Sequence, residues 1–180
     1  NHRMNQTATA TQALSREFVE VSRGQLRTKL DRIEVCVGRL SGKQLWSRAH
    51  EIENAVGNLV MHLCGNIRQW VVSGVGGAPD DRDRDAEFDR RDPLSAAELI
   101  RRLREVIDEA DTVLAGLTSA DLTERRQVQG YDVTLLEAVY HVVEHLAEHT
   151  RQIIWATKRA TGADLGFYAY LSDPDRAARP

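Results

Sequence analysis

The stretch from Ala138 to Ile154, AVYHVVEHLAEHTRQII, sets His141, His145 and His149 four residues apart. Neutral imidazoles are strong ligands for divalent transition metals, so a row of them can build a metal site. A fourth histidine, His62, stands alone in the apolar run Asn58-Leu-Val-Met-His-Leu63. A lone histidine of that kind is ordinarily a hydrogen-bonded core residue. A second apolar segment carrying a histidine row turns the reading toward a shared ion.

Reach limits the combinations. In a helix, residues four apart lie about 6 Å apart along the axis, so their rings can converge on one ion. Residues eight apart are separated by about 12 Å, too far for bonds of about 2 Å each. One ion therefore takes His141 with His145, or His145 with His149, and the residues alone leave both pairings open. His62 from a facing helix would complete three nitrogens and leave coordination positions for water or substrate. Asn58 and Asn66, each four residues from His62, and Gln152 beyond His149 lie on the same stripes and are candidate pocket residues.

These residues must be positioned by helices. Phe18, Leu26, Leu30, Ile33, Val37 and Leu40 mark an amphipathic helix over roughly 13–40. A second, apolar around most of its circumference, runs from about Asn54 to Ser73. A third spans about 95–117, opened by a Ser95/Glu98 capping box. The fourth opens at the Thr134/Glu137 box and ends before Gly162. Gly74 to Pro93 reads as a solvated connection whose alternating Asp and Arg neutralise one another. Thr118 to Val133 reads as a polar connection with a trace of extended structure at Gln127-Val128-Gln129. The expected fold class is all-α: a four-helix bundle with a long connection between helices 2 and 3. One domain covers residues 13–171. Asn1-His2-Arg3 ahead of Met4 reads as the scar of an expression tag, which removes His2 from the chemistry; residues 1–12 and 172–180 are expected to be flexible.

Composition narrows the function classes. A hydrophobic content of 42%, a charged content of 28% and a net charge of −3 fit a globular protein. They do not supply the basic surface that nucleic-acid binding requires. No apolar run approaches the ~20 residues of a membrane span. Cys36 and Cys64 read as reduced, buried residues of a cytoplasmic protein.

Three stretches together resemble the DinB-like (DinB/YfiT-like) superfamily of metal-binding four-helix bundles. The first is Asn58-Leu-Val-Met-His62-Leu, where such proteins carry one ligand histidine. The second is His145-Leu-Ala-Glu-His149-Thr-Arg-Gln152, which looks like their closing His-x-x-x-His-x-x-Gln motif. The third is the lead-in Leu117-Thr-Ser-Ala-Asp-Leu122. The resemblance implies His62, His145 and His149 as ligands, with His141 outside the shell as a candidate catalytic or supporting residue. It also implies one divalent ion (zinc or nickel, or iron), a homodimer and a bacterial-type protein. The implied activity is a thiol-dependent transferase or a hydrolase, acting on a small molecule such as a low-molecular-weight thiol. The alternative is a non-catalytic module with a structural or sensing metal. The chain departs from the family at Thr150-Arg151-Gln152, where many members carry Arg-Gly-Gln.

Rival motifs fail on composition. His141-Val-Val-Glu-His145 and His145-Leu-Ala-Glu-His149 both match the H-x-x-E-H protease signature, yet no glutamate follows Glu148 to act as a further ligand. A di-iron centre needs Glu-x-x-His on two helices, and no bundle histidine has a glutamate three residues before it. Asp81, Asp83 and Asp85 imitate a calcium loop, but Ala86 replaces its glycine and Asp92 its closing glutamate. Cys64 lies about 200° around the helix from His62, facing away from any ion that His62 holds.

Overall fold

The structure, a computed structural model, describes residues 2–90 and 93–172, with side chains from residue 8 onward. Residues 173–180 of the tail expected to be flexible lie outside the described residues.

Helix α1 runs His2–Arg39, α2 Gly42–Leu45, α3 Val56–Ile67, α4 Arg84–Asp89, α5 Ala96–Ala115 and α6 Leu135–Thr161. The caps anticipated from sequence bound α6, the 27-residue helix that carries the histidine row. Thr134 accepts from the Glu137 amide and the Glu137 side chain bonds back, while Gly162 closes α6 in the left-handed region at φ 65°. At α5 only half of the expected box forms: Ser95 accepts from Glu98 N, whereas the Glu98 carboxylate is taken by Arg101 and Arg102. Helix α1 starts well before residue 13. Residues 8–14 are solvent-exposed, carried forward from the packed part by helix propagation, which adds a bond per residue once a nucleus exists.

Helix α3 does not continue as a regular helix to Ser73. From Arg68 to Val75 it widens into a π-helix, with Gly76 N bonding back five residues to Val71 O at 2.8 Å. The all-α expectation also needs correction. Arg125–Val128 (β1) and Tyr131–Thr134 (β2) pair as an antiparallel hairpin. Its two-residue turn has Gln129 at φ 52° and Gly130 at φ 84°, the double positive φ that suits the twist of paired strands. Gln129 is held in that unusual backbone state while its Oε1 accepts from Trp70 Nε1 at 3.1 Å. The hairpin thereby docks on the π-helical turn.

Helix α1 packs on α5 and α6, and α3 packs on the same two. Leu26, Ile33 and Val37 of α1, Val60, Leu63 and Ile67 of α3, Leu99, Leu103 and Ile107 of α5, and Leu135, Val139, Leu146 and Ile153 of α6 meet in one core. Each such side chain contributes ~1.5–3 kcal/mol on burial. At the start of α6, Leu135 is buried while Leu136 beside it is exposed. Among the described residues no helix is long and apolar enough to cross a membrane.

Candidate metal centre

Helices α3 and α6 run antiparallel across the core. Their polar stripes face each other: Trp70 and Asn66 meet His141, and His62 meets His145 and His149. The arrangement follows from the four-residue repeat, which keeps each stripe on one side of its helix.

His62 Nε2 lies 2.8 Å from His145 Nε2. The rings of His145 and His149 are perpendicular, with centroids 4.5 Å apart. One nitrogen from each of His62, His145 and His149 lies within 4.8 Å of the others. Around a tetrahedral ion with bonds of about 2.0–2.1 Å, ligand nitrogens stand roughly 3.3 Å apart. The three are thus close enough to bind one metal ion. An all-imidazole set suits zinc, nickel or iron rather than calcium or magnesium, which take oxygen. His141 stays outside this group. It stacks on His145 with centroids 5.5 Å apart and lies against Trp70 at 4.0 Å.

Each flank of the site presents a ready hydrogen-bond acceptor. Gln152 Oε1 is 2.8 Å from His149 Nδ1, so that nitrogen donates and Nε2 keeps a free lone pair. On the other side His62 Nδ1 is 2.9 Å from Glu87 Oε2. Glu87 came from the segment that sequence composition marks as a solvated connection, and this is the principal correction to the sequence reading. That segment folds back as a strap containing α4, and it buries an ion pair. Arg82 donates from Nε to Glu87 Oε1 at 2.7 Å and from Nη2 to Oε2 at 2.9 Å, with only 5% and 7% of the two side chains exposed.

Helix α3 is cut to receive the strap. Gly65 leaves room for it: a Cβ there would fall 1.8 Å from Glu87 Oε1. Asn58, fully buried, donates from Nδ2 to the carbonyls of Glu87 and Phe88. Arg48 bonds both Asn58 Oδ1 and the Phe88 carbonyl. Gln69 accepts from Arg82 Nη1 at 2.9 Å. Phe88 packs its ring 4.7 Å from that of His62. Asn58 thus holds the strap, and Asn66 is buried beside His141 with its Oδ1 unpartnered. Gln152 lines a cavity of about 570 Å³ with Leu59, Arg151, Trp155 and Ala156. Gln152 joins that cavity to the histidine row of α6.

Charge fits the same picture. Burial, then the neighbouring imidazoles and Arg82, push His145 down to about 3. Burial likewise lowers His141 and His149. Burial pushes the Glu87 carboxyl up, but hydrogen bonds from Arg82 and His62 outweigh it and hold the group below its usual value. His145 and His149 are therefore offered as neutral imidazoles, the form that ligates. Burial drives the Cys64 thiol up to about 12, which makes it a poor nucleophile.

A pH prediction follows for the metal-free protein. Below the ordinary histidine value of 6.5, the unfolded chain binds protons that folded His145 refuses down to about 3. Stability present above 6.5 is lost as pH falls through that window, and Glu87 adds a loss in the same direction below 4.5. The thermal midpoint of chelator-treated protein is expected to fall steadily from pH 7 to pH 4.5. His145→Gln is expected to flatten the upper part of that fall, and an unchanged slope would refute the assignment.

The geometry can be set beside known proteins. A crystallised DinB-like protein from Bacillus cereus ATCC 10987 superposes with a TM-score of 0.62 at 18% identity, over 79% of this chain and 93% of that one. At that identity the likeness is one of fold. No curated protein matches the chain. The family model described as a protein of unknown function, DUF1572, matches residues 13–172, nearly the whole described length. The chain belongs to the DUF1572 family, and its fold is that of a DinB-like protein.

Proposed function

We propose that this protein is a metal-dependent enzyme built as a four-helix bundle of α1, α3, α5 and α6, with one zinc, nickel or iron ion held by His62, His145 and His149. The observation that carries the reading is the convergence of three imidazole nitrogens within 4.8 Å, flanked by acceptors for the outer nitrogens of His62 and His149. Three protein ligands are the donor count of catalytic rather than structural zinc. A divalent ion so bound lowers the pKa of a coordinated water or thiol and supplies a nucleophile at neutral pH.

The chain's own residues do the rest. Burial keeps His145 and His149 neutral, and Glu87 and Gln152 orient the rings of His62 and His149. The cavity beside Gln152 seats a small molecule, with Trp155, Leu59 and Ala156 against its apolar part and Arg151 at its rim. The family resemblance favours thiol-dependent transfer, with hydrolysis second. His141, beside Trp70 and Asn66, is the candidate to hold or move a proton one helical turn from the ligands.

Cobalt substitution tests the reading. A spectrum that shifts when thiols or azide are added shows an exchangeable position, as the enzyme requires. A closed four-ligand spectrum, indifferent to both, supports the non-catalytic module and overturns the enzyme.

A further inference from the structure

The Arg82–Glu87 strap sets a conflict at His62. Arg82 Nη2 lies 3.1 Å from His62 Nδ1, and Glu87 Oε2 lies 2.9 Å from the same nitrogen. A guanidinium can only donate and a carboxylate can only accept. The two neighbours therefore demand opposite tautomers. Facing Arg82 alone, Nδ1 would keep its lone pair and accept, leaving the proton on Nε2. Facing Glu87, Nδ1 carries the proton and Nε2 keeps its lone pair. Only the second form can ligate an ion on the His145 side, where Nε2 points.

We infer that Glu87 is the positioning residue of the metal centre: its carboxylate outcompetes Arg82 for His62 Nδ1, locks the Nε2-ligating tautomer, and offsets a buried cation that would otherwise repel the ion. The inference rests on the three-histidine site proposed above and gives the strap a function that its sequence does not announce. Arg82 has the complementary part. It holds both carboxylate oxygens, so Glu87 cannot swing into the ion's shell as a fourth ligand without abandoning two hydrogen bonds. The centre is thereby kept at three nitrogens. The surroundings are built for this. Gly65 admits the carboxylate, Asn58 fixes the strap backbone on which it rides, and Gln69 anchors Arg82 from the far side.

The sign of a double substitution separates this role from simple packing. Zinc affinity is measured by chelator competition on the full chain, with circular dichroism to verify folding. Glu87→Ala leaves His62 facing Arg82 and is expected to weaken binding by about 100-fold, at the upper end of what supporting hydrogen bonds to metal-bound histidines contribute. Glu87→Gln keeps an acceptor without the charge and is expected to lose about tenfold. Adding Arg82→Ala to Glu87→Ala removes the competing donor and the cation, and is expected to recover at least tenfold. In long-range nitrogen–proton correlation spectra of the metal-free protein, the His62 ring proton is expected on Nδ1 in the wild type and on Nε2 in Glu87→Ala. Wild-type zinc binding combined with unchanged affinity in Glu87→Ala, or with no recovery in the double variant, overturns the inference alone. Absence of zinc, nickel and iron binding by the wild type overturns the metal reading and this inference together.

Discussion

Replacing His62 with alanine is expected to lower zinc or nickel affinity by more than about 100-fold, beyond the loss typical of supporting residues. Protein purified without a polyhistidine tag is then expected to carry essentially no metal. The size of the effect follows from geometry. His62 is the α3 member of the proposed triad; without it, the remaining two histidines both lie on α6 and nothing from α3 would hold the ion. His145→Ala is expected to match it, because His145 is the central member of the row. His149→Ala is expected to cost nearly as much, and His141→Ala to leave close to one equivalent of metal bound. Reversal of the last two results would move the ion one turn along α6 and refute the pairing.

The second large effect concerns stability. Gly65→Ala places a methyl group 1.8 Å from Glu87 Oε1 and 2.9 Å from Arg82 Nε. The carboxylate must leave, and its departure strands Arg82 and His62 in a buried setting. Breaking a buried ion pair costs about 3–5 kcal/mol. The strap can shift, so a loss of about 2–4 kcal/mol in chemical denaturation is expected, with metal affinity falling alongside it. The control lies in the same molecule. Gly24 and Gly38, both in α1, have nothing within 4 Å of a built Cβ. Alanine at either is expected to stabilise by ~0.5–1 kcal/mol through helix propensity. If Gly65→Ala behaves like those two, the tight seating of Glu87 is wrong.

What was legible in the sequence was periodic or local. The alternation of three and four along α5 and α6 shows which side faces inward, and the capping residues at Thr134 and Gly162 fix the ends of α6 within a residue. The histidine row is readable for the same reason, since reach along a helix is a property of spacing. The family resemblance resting on the His145-to-Gln152 motif favours the later pair, and the structure places His62, His145 and His149 close enough to bind a metal ion. The hairpin was only partly legible: Gln127-Val128-Gln129 carries a trace of extended structure, but strands of four residues are too short for their alternation to stand out. The π-helical turn has no periodic pattern of its own in the sequence. The strap was misread for a deeper reason. Alternating Asp and Arg look self-neutralising along the chain, yet the pair that matters joins Arg82 and Glu87 five residues apart and is fixed by a ring 20 residues upstream of Arg82. Burial of that pair depends on Gly65 and Asn58, and nothing local in the loop reports it.

The 2.8 Å approach of His62 to His145 spans 83 positions of sequence. An ion seated there acts as a removable cross-link, closing a long loop much as a disulfide does. By the chain-entropy model, a tie of that length restricts the unfolded ensemble by roughly 4–5 kcal/mol. Metal supply would then govern how long the folded molecule survives as well as what chemistry it performs, and starvation for the ion would register first as lost protein.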